Sequence, residues 1–248
     1  MAKQSLFAAS QPKPTESTAV GFPIPAATGM QDVHVPDKKG PDHSFIMFAS
    51  PKSERWADNV KDFPGLQPGD AILIERGADS VRLGASLTFF LVDAFSYYAK
   101  CDSKGAILKA SHEESDATPR QFLSVLLLLV HDGRAIPATC RFGDATCQAP
   151  GVSVKTVRER AASPEWATLS AEHAATLSIP DPRFRFKTLA TWKGQKSRST
   201  GNTYQISKAT IVPTSAGDAA LLSAVDGEAM AAAKESFDSW RGTVEGKM

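Results

Sequence analysis

Two apolar runs, Gln121 to Val130 and Ala135 to Phe142, stand on either side of His131-Asp132-Gly133-Arg134. An Asp-Gly pair between such runs predicts a two-residue β-hairpin turn, because both central positions need positive φ and these residues accept it at low cost. The chain is thereby constrained to hold an antiparallel strand pair whose first member is apolar at almost every position. One alternative stays open for Phe122 to Val130, a buried helix, because a continuous apolar run does not reveal its period.

The neighbouring segments also favour strands. Ser44 to Ala49 is a short apolar run of strand length, and Asp70 to Glu75 follows two turns at Pro64-Gly65 and Pro68-Gly69. Arg76 to Asp79 reads as a loop before a strand at Val81 to Leu83. Ser86 to Lys100 is crowded with β-branched and aromatic residues and is predicted as strand. Pro51 to Phe63 reads as a short polar helix or loop, and His112 to Pro119 as a polar loop. Val152 to Ala162 is expected to be helical, as is a second piece opened by Ser163-Pro164-Glu165 with its capping serine and first-turn proline. The chain should return to strand over Arg183 to Trp192 and Thr203 to Val212. Ala216 to Trp240 reads as one Ala-rich amphipathic helix with Leu222, Val225, Ala229, Ala233, Phe237 and Trp240 on its stripe.

Residues 1–42 hold six prolines and little that can be buried, which predicts an extended or disordered arm. The expected organisation is therefore a Pro-rich arm over 1–42, a β domain over 43–215 with a helical insertion near 152–178, and a C-terminal amphipathic helix and tail over 216–248. The fold class is α+β, mostly β: a barrel or curled antiparallel sheet of five or six strands with a C-terminal helix.

Charge is distributed unevenly along this chain. Pro182 to Gly217 carries Arg183, Arg185, Lys187, Lys193, Lys196, Arg198 and Lys208 and no Asp or Glu, while the whole protein has a net charge of +1, leaving about −6 elsewhere. Cations clustered among Phe184, Phe186, Trp192 and Tyr204 are the footprint of a surface that meets a polyanion. Strand periodicity puts Arg183, Arg185 and Lys187 on one face and Phe184 and Phe186 on the other. The loop Lys193 to Asn202 adds three cations, two glycines and several small donors, a composition suited to phosphate contacts. Trp192 and Tyr204 flank that loop and are candidates for stacking bases. Alternation places Trp192 with Phe184 and Phe186, and Tyr204 with Ile206 and Val212, so without a bulge both belong to the core. Tyr97 and Tyr98 face opposite ways, so one of them should reach solvent and serve as a further stacker.

A late β-hairpin with a long basic loop, following several strands and a helical insertion, resembles the final hairpin of OB-fold single-stranded-DNA-binding proteins of phage and plasmid type. The resemblance rests on residues 183–212 and on the run of strands over 44–142. It implies an OB-like barrel, an oligonucleotide groove beside Lys193 to Asn202, and a role in DNA replication or recombination. Sequence-tolerant binding of single-stranded nucleic acid, DNA rather than RNA, is the expected function, and self-association is compatible with it. The alternative is a structural or assembly protein of a phage or mobile element whose basic hairpin meets a protein partner.

Chemistry finds little support in the sequence. No phosphate-binding loop, zinc-protease, nucleophile-elbow or dinucleotide motif occurs, so no catalytic residue and no cofactor is assigned. Glu113, Glu114 and Asp116 lie close together, as Mg²⁺ ligands of a nuclease would, but read better as a solvated loop. Cys140 and Cys147 are too far apart for a zinc knuckle, and His112, His131 and His173 are scattered, so no metal is assigned. Three cysteines fit a reducing compartment, and no secretory signal or bilayer-length apolar run is present, so a cytoplasmic location without membrane contact is expected.

Overall fold

Asp132 and Gly133 adopt φ of 45° and 67°, the positive pair that a type I′ hairpin turn requires. The structure, a computed structural model, describes residues 41–51, 56–102, 107–143, 179, 181–197 and 201–246, with only the backbone described at 182–183, 192–197 and 201–209. In chain order its elements are β1 (Phe45–Phe48), α1 (Trp56–Asp62), β2 (Ala71–Ile74), β3 (Val81–Gly84), β4 (Ser86–Cys101), β5 (Ile107–Ser111), β6 (Arg120–His131) and β7 (Arg134–Gly143). After these come a 3-10 turn (Pro182–Arg185), β8 (Phe186–Ser197), β9 (Gly201–Pro213), α2 (Ala216–Ser223) and α3 (Gly227–Val244). The mostly β expectation holds, and Phe122 to Val130 is strand. Residues 1–40 of the arm expected over 1–42, and the helical pieces over 152–178, lie outside the described residues.

All described strands join one sheet in the order β3-β2-β1-β7-β6-β4-β8-β9, with β5 on β4. The β1–β7 pairing is parallel and the other pairings are antiparallel. Consecutive strands β3 and β4 therefore stand at the two ends of a six-strand ladder, yet only Ala85 separates them in sequence. Two residue steps span at most about 7 Å, so the ladder must curl until its ends nearly meet. Gly84, at φ 76°, takes the corner in a conformation that a side chain would resist. The result is a curled, barrel-like sheet of six strands, extended by β5, β8 and β9. The strand count thus exceeds the five or six expected.

The inner face holds the main core, including Ile46, Leu73, Leu87, Phe89, Leu91, Leu127, Leu129, Ile136, Cys140 and Phe142. Leu126 and Leu128 of β6 lie on the other face, in a second core closed by Phe184, Ala233 and Phe237. Being covered on both sides explains why β6 is apolar without alternation. In β4 a bulge between Leu91 and Asp93 shifts the register. Phe89 and Leu91 thus serve the inner core, whereas Phe95, Tyr97 and Ala99 join the outer one.

The single helix expected over Ala216 to Trp240 is two. Asp226 accepts hydrogen bonds from the amides of Glu228 and Ala229, capping α3, and Gly227 directly behind it is a poor residue for continuing α2. Ser215 and Asp218 form a reciprocal capping box at the start of α2. Phe237 is 2% exposed and meets Phe95 edge-on at 5.2 Å. Phe237→Ala should cost about 3–5 kcal/mol, read as a lowered urea midpoint with an unchanged slope.

Candidate nucleic-acid interface

Thr188 to Thr191 of β8 pair with Phe89 to Ser86 of β4. There β4 begins, and from Trp192 to Ser197 the described partner of β8 is β9 alone, through six residue pairs. Six residues of strand span about 20 Å, so the hairpin continues past the curled sheet as a two-stranded arm. Lys193 and Lys196 are on the arm, Lys208 is at its base opposite Thr191, and Arg198 lies outside the described residues.

A register shift between Thr191 and Trp192 leaves Ser207 as an extra residue on β9. This bulge corrects the facing expected from simple alternation. Ile211 and Ala209 are opposite Thr188 and Ala190, on the inner face, but Ile206 and Tyr204 are opposite Trp192 and Gly194. Tyr204 and Val212 therefore do not share a face. Trp192, Tyr204 and Ile206 occupy one face of the arm, in register positions that continue the inner face beyond Ser86, the first residue of β4. Lys193 and Lys208 occupy the other.

The cations nearest the body have partners inside the protein. Pro182 to Arg185 form a 3-10 turn rather than strand, in which the amide of Phe184 donates to the carbonyl of Asp181 at 3.0 Å. The expected alternation through Arg183, Phe184 and Arg185 therefore fails there. Phe184 packs against Phe90 on the outer face, and Arg185 donates from Nε to the Ile179 carbonyl at 3.2 Å. Lys187 Nζ lies 2.6 Å from Asp218 Oδ2 in a largely buried ion pair. Burial would raise the Asp218 carboxyl, but hydrogen bonds from Lys187 and Ser215 more than offset it and hold the pKa below the usual range. Lys187 is thereby corrected from phosphate contact to anchor of the hairpin base. The acid-free window ends at Gly217, one residue before the carboxylate that pairs with Lys187.

The structure does not bring the tyrosines of β4 to the arm. Tyr97 is fully buried, stacked on Phe122 at 5.5 Å and edge-on to Trp240 at 5.5 Å, which removes it as a stacker. Tyr98 is half-buried, twelve residues from Ser86 and so about 40 Å along the strand from the base of the arm.

Remaining candidates fall elsewhere. Ser115 and Thr118 bond to each other at 2.8 Å and organise the loop that bears Glu113, Glu114 and Asp116, a solvated turn. Cys140 is buried in the inner core, where burial pushes its thiol far up. Among the described residues no group of three or more His, Cys, Asp or Glu is placed to hold a metal ion, and no helix is long and apolar enough to cross a membrane. No protein-family model, curated protein or solved structure matches this chain.

Asp218, with its lowered folded pKa, contributes stability that is present above the ordinary aspartate value near 3.9 and lost as pH falls below it. Asp218→Asn should lower stability at neutral pH by about 2 kcal/mol and flatten the acid side of the stability profile, as measured by urea titration from pH 7 to 3.

Proposed function

We propose that this protein binds single-stranded nucleic acid, DNA in preference to RNA, with little regard to sequence, through the β8–β9 arm. One observation carries the reading: a strand pair that runs past the sheet bears Lys193 and Lys196, has Lys208 at its base, and belongs to a 36-residue stretch of sequence without a carboxylate. Lysines on a projecting ribbon grip phosphates without reading bases, which makes binding strong at low salt and tolerant of sequence. Arg183 and Arg198 join this set by sequence, whereas Arg185 and Lys187 support the base of the hairpin. On this reading the curled sheet with its late hairpin is a variation on the OB-like plan, and the strand lies beside the arm.

A protein partner is the second reading, because β9 is the last strand of the sheet and its outer edge has no ladder partner among the described residues. A partner segment would add a strand there. That reading predicts a discrete assembly and no nucleic acid carried through purification.

Fluorescence anisotropy with labelled poly-dT at about 50 and 200 mM salt separates the two. The single-strand reading expects tight binding that weakens steeply with salt and poor competition by duplex. Lys193→Ala, Lys196→Ala and Lys208→Ala together should weaken binding to all sequences alike and reduce the salt slope by about 2, given roughly 0.7 per phosphate on a single strand. No binding at the lower salt would remove nucleic acid from the account.

A further inference from the structure

The two faces of the arm differ in composition. Through the Ser207 bulge, Trp192, Gly194 and Lys196 of β8 share a face with Ile206, Tyr204 and Asn202 of β9, while Lys193 and Gln195 share the opposite face with Gln205 and Thr203. The first face continues the inner, core-forming face of the sheet, where Ala190 is buried and Ile211 packs. Along the arm, however, β4 no longer runs alongside β8. Aromatic positions that would be core one strand-length earlier are therefore carried past the sheet.

We infer that unpaired bases stack on the Trp192–Tyr204 face of the arm, with Lys196 on that same face to meet the nucleic-acid backbone. This rests on the single-strand reading and adds which face takes the bases. Trp192 and Tyr204 are diagonal neighbours, because Trp192 is opposite Ile206 and Tyr204 lies two residues further along β9. Diagonal positions on one face stand about 7–8 Å apart, close to two base-stacking steps of about 3.4 Å. The position across from Tyr204 is Gly194, which contributes no side chain there. Stacking of this kind needs bases free of a complementary strand and accepts any of the four.

The test moves one ring between faces without altering composition or charge. Tyr204→Gln with Gln205→Tyr transfers the aromatic to the face of Lys193. Thr203→Tyr with Tyr204→Thr does the same one position away. Each swap should weaken poly-dT binding roughly five- to a hundredfold, with the salt slope of the unaltered protein retained, and Trp192→Ala should weaken it comparably. Thermal unfolding that matches the parent's separates lost stacking from lost folding, and agreement between the two exchanges guards against a local fault in either. Swapped proteins that bind as tightly as the parent would overturn the face assignment while leaving phosphate-driven binding intact. A parent that does not bind poly-dT at all would overturn this inference together with the function it rests on.

Discussion

A chain that leaves one end of a six-strand ladder at Gly84 and enters the other at Ser86 has to bend that ladder round on itself. The rest of the architecture follows from that closure. Curling turns one face of the sheet inward, where the side chains of β1, β2, β4, β6 and β7 pack on one another, with no helix among the described residues of that core. The other face of β4 and β6 then needs a separate cover, which α2 and α3 provide through Leu222, Ala233 and Phe237. Closure also fixes where β4 starts, and its first residue marks the point beyond which β8 and β9 have only each other as ladder partners among the described residues.

Charge is organised by the same boundary. Near the sheet, where burial would penalise an isolated cation, Arg185 has a carbonyl and Lys187 a carboxylate. Asp218 does two tasks at once, capping α2 through Ser215 and fixing the hairpin through Lys187. Thr214 adds a further tie, its hydroxyl donating to the Phe184 carbonyl at 2.7 Å. The base of the hairpin is thus joined to the helical layer, and the lysines further out are carried on a backbone that is fixed at one end.

Much of this was legible in the residues. The type I′ turn at Asp132-Gly133, the strand at Ser86 to Lys100 and the presence of a late hairpin follow from local chemistry, whereas most of the loop expected over Lys193 to Asn202 is strand, with β8 running to Ser197 and β9 resuming at Gly201. The bulges explain most of what did not. In β4 the apolar residues Leu87, Phe89, Leu91, Phe95 and Tyr97 all fall at odd positions, as if on one face, and only the tertiary register shows that they serve two cores. In β9 a signal was present: apolar residues fall at even positions through Tyr204 and Ile206 and at odd ones from Ala209 and Ile211, the change of phase that an extra residue produces. The partner of Lys187 was hidden for a different reason. It lies 31 residues away, and no linear window reports a contact made by folding.

The parallel pairing of β1 with β7 orders events during synthesis. Phe45 meets Thr139, so β1 cannot find its neighbour until almost a hundred further residues have been made. The strands β1, β2 and β3, which bring Ile46, Phe48 and Leu73 to the inner core, are made long before the strand that joins them to β6. The hairpin of β6 and β7 is the opposite case, zipping from its own turn as soon as it is complete. The seam that completes the curled sheet is thus the pairing with the largest loop to close, and loop closure of that size makes it intrinsically slower than the local hairpin beside it.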